Sequence, residues 1–190
     1  MPITINGSGT ITGISAGGLP DGSVTSADLA SGAITAGALP SGSILQVVQT
    51  VKNDIDSTTS TTYSDIPGMS RSITPVAAGS SLLVISDLAF SNTAQSNTGF
   101  INLYRGSTAI AQPSSGANPS TIKQYTQGGV QVWNRSFTFL DTPTYTLGDS
   151  LTYKWQWRTD NTSLRVYINM HSTNANFTMV SQITVMEVAA

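Results

Sequence analysis

Leu151-Thr152-Tyr153-Lys154-Trp155-Gln156-Trp157-Arg158 alternates between apolar and polar side chains without a break. Successive side chains of an extended chain point to opposite faces, so Leu151, Tyr153, Trp155 and Trp157 share one face while Thr152, Lys154, Gln156 and Arg158 share the other. That is the pattern of a strand with one face in a core and one in water. Leu164 to Met170 repeats it: Leu164, Val166, Ile168 and Met170 oppose Arg165, Tyr167 and Asn169.

Outward from these two stretches, runs of Val, Ile, Thr, Tyr, Phe and Trp recur, cut by Gly, Pro, Asn and Asp. They predict strands at 44–52, 61–66, 69–74, 81–90, 99–105, 108–112, 130–140, 150–158, 164–170 and 177–188, with no amphipathic helix. Many short strands joined by polar turns specify an all-β fold, a β-sandwich of jelly-roll-like type, over residues 44–190. Polar segments at 91–98 and 112–129 read as connecting loops, the places where binding residues gather.

Two strands break the alternation. Leu82, Val84, Leu88 and Phe90 stand opposite Leu83, Ile85 and Ala89, and Phe177, Met179, Ile183 and Val185 stand opposite Val180, Met186 and Val188. In a lone sandwich one face of each strand meets water, so a second apolar face predicts a neighbouring subunit or a covering loop. The interface expected on this ground includes Leu83, Ile85, Met186 and Val188.

Residues 1–43 form a second region: they hold no aromatic residue, no Lys and no Arg. A ten-residue repeat runs through them, with Leu19, Leu29 and Leu39 followed by Gly22, Gly32 and Gly42 and then by Val24, Ile34 and Ile44. Each unit reads as a turn followed by a short strand, because Pro presets φ and Gly accepts a positive φ. Units this small cannot bury their own aliphatic side chains. The region is therefore expected to be either a flexible linker or, as the regular recurrence favours, an extended arm for attachment and oligomerisation. In the second case Leu19, Val24, Leu29, Ile34, Leu39 and Ile44 pack against other chains.

Composition narrows the function. Among 190 residues only 9% are charged and the net charge is −2, against about 25% charged in ordinary soluble proteins. No basic field is present to neutralise phosphates, so neither nucleic acid nor an anionic membrane is an expected partner. The chain has no cysteine, which removes thiolate chemistry and cysteine-ligated metals. The opening residues read as neither signal nor anchor, and the longest apolar run, Leu82 to Ile85, is far short of the roughly 18 residues of a membrane span. The expectation is synthesis in the cytoplasm. Asn-x-Ser/Thr triplets at Asn6, Asn134, Asn161 and Asn176 matter only in a secreted chain.

No catalytic constellation emerges. The single histidine, His171, lies in an expected loop with no nucleophile motif beside it. Asp54, Asp56, Asp65 and Asp141 sit in turn-forming company, and the Asp54/Asp56 pair lacks EF-hand spacing. No cofactor or metal is expected. Trp133, Tyr125 and Tyr167, outside the cleanest inward stripe or in loops, are the candidates for stacking against a sugar.

The segments ITINGSGTI and GGLPDGSVTSADLASGAIT, followed by SILQVVQTVK, TTSTTYSDIPGMSRSITP, LYRGSTAIAQ and SQITVMEV, resemble bacteriophage tail-fibre-like and virion structural proteins, particularly of aquatic phages. The resemblance implies a non-enzymatic virion protein whose residues 1–43 mount on other virion proteins, whose copies form a homotrimer, and whose β domain faces outward. It leaves a tail fibre, a surface projection and a capsid decoration (cement) protein open. A receptor module for host surface polysaccharide is a further alternative. A glycan-cleaving enzyme, which needs two carboxylates across a cleft, is disfavoured by the sparse acids.

Overall fold

The computed structural model describes residues 24–93, 97–126, 132–171 and 174–190. The chain divides into two units, Met1–Ala38 and Leu39–Ala190. The second unit is all-β. Its strands are β1 (Ile44–Lys52), β2 (Asp56–Thr58), β3 (Ser64–Ile73), β4 (Ser81–Asn92), β5 (Asn97–Arg105), β6 (Thr108–Ile110), β7 (Ile122–Thr126), β8 (Val132–Asp141), β9 (Leu151–Thr159), β10 (Val166–Ile168), β11 (Met170–His171), β12 (Asn174–Thr178) and β13 (Ser181–Val188).

They build two antiparallel sheets with the core between them. The six-stranded sheet runs β1-β13-β4-β10-β2, with β8 on the other edge of β4. The five-stranded sheet runs β3-β9-β5-β6, with β7 sharing the outer edge of β5. β11 and β12 form a separate two-stranded ribbon. A buried cluster joins the inner faces: Leu82, Val84, Leu88 and Phe90 of β4 and Ile183 and Val185 of β13 meet Ile101 and Leu103 of β5 and Tyr153, Trp155 and Trp157 of β9. The alternating stretch Leu151 to Arg158 thus lies in a central strand, flanked by β3 and β5, with its aromatic face inward.

Several expected boundaries shift. The two strands expected at 61–66 and 69–74 are one, β3, whose register against β9 slips between Asp65 and Ser70. Pro67 has no N–H to give a ladder and Gly68 takes φ +74°, so the irregularity sits on an edge strand, where it is tolerated. Asp56, expected in a turn, belongs to β2 and pairs with Ile168. The expected loop 112–129 contains β7, and the expected loop 91–98 is shortened by the extension of β4 to Asn92 and of β5 to Asn97. The stretch 164–170 is interrupted at Asn169, whose φ of +62° ends β10. The stretch 177–188 also divides: Phe177 belongs to β12, while β13 begins at Ser181.

These breaks are anchored by buried polar groups. Asn169, fully buried, donates from Nδ2 to the carbonyls of Lys52 (2.7 Å) and Asp54 (3.0 Å) and accepts from Ser181 Oγ (2.6 Å). Ser181 Oγ in turn accepts from Ala89 N–H. One amide therefore ties β1, β4, β10 and β13 where the backbone leaves regular pairing, and left-handed φ is a conformation Asn accepts more readily than most residues. Lys52 is also buried, and its ammonium reaches Asp54 at 2.9 Å.

Inner-face packing leaves no slack at Gly99. A Cβ there would lie 2.5 Å from Cζ of Phe90 and 3.0 Å from Cγ1 of Val166. Gly99→Ala is expected to cost about 1–3 kcal/mol through overpacking, seen as a lower denaturation midpoint with an unchanged m-value. Unchanged stability would mean that the Phe90 ring moves aside freely.

Candidate functional surfaces

The first surface is the repeat. Between residues 24 and 43 the ten-residue period of the sequence is also a period of the backbone. Where a short strand was expected in each unit, three-residue 3-10 turns occupy Ser26–Asp28 and Ala36–Ala38, and the first strand among the described residues begins only at Ile44. Asp28 N–H bonds Thr25 O and Ala38 N–H bonds Thr35 O, while Ala33 N–H bonds Ala30 O and Ser43 N–H bonds Pro40 O. Gly32 and Gly42 take φ of +79° and +85°, the conformation that makes glycine the default residue at these turns. Asp28 closes the first unit by accepting from both Thr25 N–H and Thr25 Oγ1, bonds that hold its carboxyl below the usual range.

Regular though it is, this segment buries nothing. No residue from 24 to 40 is buried, and Val24, Leu29, Ile34 and Leu39 are 55%, 45%, 56% and 40% exposed. Each unit offers its two expected aliphatic side chains to the outside. Leu19 lies outside the described residues.

The second surface is the outer face of the six-stranded sheet. Val47 of β1 pairs with Met186 of β13, Met186 with Leu83 of β4, and Leu83 with Leu140 of β8. These side chains form one aliphatic row across four strands. Val47 and Leu140 are more than half exposed, and Met186 and Leu83 are half-buried. Ile44 pairs with Val188 beside this row and Ile85 lies on its other side. The interface residues expected on the doubly apolar strands therefore share one face. Sequence reading missed Val47 and Leu140, because only the ladder register lines them up with Leu83.

The three candidate aromatics do not share a surface. Trp133 pairs with inward-facing Phe90 and lies at the inner side of edge strand β8, with the Arg135 guanidinium 4.9 Å from its ring. Tyr125 is exposed on β7 of the other sheet. Tyr167 is on β10 and, with Ile55, Asp56, Ser57 and Met170, lines an open depression of about 210 Å³. His171, expected in a loop, is in β11, and its ring meets Phe177 edge-on at 6.1 Å.

The carboxylates act as structural acceptors. Asp141, expected in a turn, is the buried last residue of β8; it accepts from Tyr153 Oη at 2.7 Å and pairs with Arg105. Burial and this carboxylate push the Tyr153 phenol far above its ordinary range. Glu187 is fully buried on the inner face of β13, where it accepts from Gln46 Nε2 and from the backbone N–H groups of Val76 and Ala77. Asp87 is held below its usual range by Ser136 and Gln182. Asp65 receives Lys154 and Gln156, whose bonds outweigh the upward push of burial and hold its carboxyl low. Among the described residues, no three His, Cys, Asp or Glu side chains gather as metal ligands.

No family model matches the chain, and no curated protein matches it. Among solved structures, that of infectious bursal disease virus, Gx strain, aligns with a TM-score of 0.34 and 13% identity over 76% of this chain. That of the Gt strain of the same virus aligns with a TM-score of 0.26 and 16% identity over 79%. This chain spans 37% and 39% of the length of those two chains.

Proposed function

We propose that this chain is a non-enzymatic structural protein of a bacteriophage particle, a homotrimeric fibre or surface-projection subunit. Its repeat arm interlocks copies and mounts them, and its β-sandwich is displayed. The virion setting rests on the resemblance of the arm and of the β-strand segments to phage structural proteins.

One observation carries the oligomer: a backbone repeat of ten residues that leaves Val24, Leu29 and Ile34 exposed. Covering such side chains needs a partner with the same period. Another copy of the same segment, in register, is the simplest surface that has it. Burying one Leu, Ile or Val side chain contributes about 1.5–3 kcal/mol, so three arms together supply a substantial interface from residues that a lone chain leaves in water.

Light scattering on the full chain is expected to give the mass of three chains. Leu29→Ser with Ile34→Ser is expected to weaken association by about tenfold or more per side chain, without shifting the unfolding of the sandwich. A monomeric full chain defeats the proposal. Immunogold imaging of particles distinguishes a tail or head fibre from a capsid decoration.

A second reading, a carbohydrate-binding module, is favoured by the Tyr167 depression, where an aromatic ring stands beside the polar Asp56 and Ser57. It expects binding of host surface polysaccharide that is lost in Tyr167→Ala. Unchanged binding in that variant removes the depression as the site.

A further inference from the structure

We propose that the aliphatic row Val47–Met186–Leu83–Leu140 is the surface through which the sandwich heads of neighbouring copies of this chain contact one another. The inference rests on the homo-oligomer reading and adds a second interface to it.

The row stands at a defined end of the sheet. The segment leading into β1 is clamped beside the last strand, with Gly42 N–H bonding Ala189 O and Ala189 N–H bonding Ser43 O, both at 2.9 Å. Ile44 then pairs with Val188, and the aliphatic row begins at the next outward position, Val47. Residues 40–43 therefore lead into the sheet at this end. From Ile34 to Ile44 is ten residues, a reach of at most about 36 Å even fully extended. Heads whose arms are held in register are thus tethered with this end of each within short range of the others. Short tethers raise effective concentration to about the millimolar level, so a modest contact area suffices.

The chemistry of the face selects the occupant. Away from the row, Gln49, Thr184, Gln182, Asp87 and Ser136 are already bonded to one another: Gln49 Nε2 donates to Thr184 Oγ1 and Gln182 Oε1, Gln182 Nε2 donates to Asp87 Oδ2, and Ser136 donates to Asp87. The rows that pair Val47, Gln49 and Val51 across to β8 contain no Lys or Arg, and their one carboxylate, Asp87, is occupied. An anionic polymer, an anionic lipid surface or a charged peptide finds no counter-charge here. An uncharged aliphatic surface does find its match, and the same row on another copy is such a surface. Polarity also increases away from the arm end, from the Leu83 row through Gln49–Thr184–Ile85–Thr138 to Val51–Gln182–Asp87–Ser136. Heads touching near the arm and diverging beyond it produce that gradient.

The absence of cysteine makes the test direct. Val47→Cys and Leu140→Cys, at positions 54% and 52% exposed, are made singly and together in the full chain. Ser72→Cys, at an exposed position of β3 in the opposite sheet, serves as reference. Each is treated with a short bismaleimide and its mass determined by light scattering. The expected result is an oligomer in which the Val47 and Leu140 variants yield interchain adducts several-fold faster than the Ser72 variant. An oligomer whose Val47 and Leu140 variants cross-link no faster than the reference overturns the head contact and leaves the arm-based oligomer standing. A monomer with no adducts overturns both.

Discussion

Trp155→Ala is expected to lower the unfolding free energy by about 3–5 kcal/mol, the range for deleting a fully buried large aromatic. Single domains are stable by only about 5–15 kcal/mol, so the variant approaches the threshold of folding. Trp155 sits at the centre of β9 with no exposed surface, edge-on to Phe137 at a ring separation of 5.7 Å. Its indole N–H donates to Ser86 Oγ at 2.9 Å, across to the facing sheet. Truncation removes the contact area, opens a cavity between the sheets and strands a buried hydroxyl. Trp155→Phe retains most of the volume and loses the hydrogen bond. Adding Ser86→Ala to it removes the orphaned hydroxyl and is expected to recover part of the loss, because an unsatisfied buried polar group costs about 1–3 kcal/mol. Urea titrations of the four proteins measure both terms. If Trp155→Ala cost less than about 1 kcal/mol, the inner aromatic face would not be the centre of the core.

Glu187→Ala is expected to cost about 3 kcal/mol and to change the response to acid, since hydrogen bonds to a charged group contribute about 1.5–3 kcal/mol each and do not add fully. Glu187 is fully buried, and its carboxylate receives Gln46 Nε2 at 2.6 Å, Val76 N–H at 2.9 Å and Ala77 N–H at 3.0 Å. It thereby fixes the connection between β3 and β4 against the end of the sandwich. Burial pushes this carboxyl up, and the Gln46, Val76, Ala77 and Ser80 bonds outweigh it, so the folded value lies below the ordinary 4.5. A depressed value means the unfolded chain binds the proton more readily. The contribution is therefore complete above about pH 4.5 and is lost as pH falls through the folded value. Wild type is expected to lose stability over that window more steeply than Glu187→Ala, and parallel pH profiles would contradict the assignment. Glu187→Gln retains one acceptor and is expected to fall between the two while losing the pH dependence.

Sequence and structure agree most closely where alternation is uninterrupted. β1 runs over the expected 44–52, and β9 carries its aromatic face inward as the side-chain order dictates. On β4 and β13, apolar on both faces, alternation alone does not choose the inner one; packing between the sheets places Leu82, Val84, Leu88, Phe90, Ile183 and Val185 inward. Where reading fell short, a tertiary contact overrides the local signal. Asn169 and Ser181 break apparently continuous strands, because their side chains satisfy one another and the backbone of β1 and β4. The short β7, Ile122-Lys123-Gln124-Tyr125-Thr126, stands in an otherwise polar stretch, and pairing with β5 supplies its order. Lys52, Asp141 and Glu187 are charged residues whose burial no local pattern announces; each is buried because its partner arrives from another segment or, for Lys52, because it ends a strand facing inward.

The arm with its ten-residue repeat is the mirror case. Its period was visible in the letters, and the backbone repeats with the same period through local turns that need no tertiary support.

By itself, then, the sequence determined the all-β class, the inward faces of its regular strands and the period of the arm, since each follows from side-chain alternation or from Pro and Gly acting within a few residues. The tertiary structure alone decided the pairing order of the strands, the alignment of Val47 and Leu140 with Leu83 and Met186, and the separation of Trp133, Tyr125 and Tyr167 onto different surfaces. Those depend on cross-strand register, which is set by contacts between residues far apart in the chain.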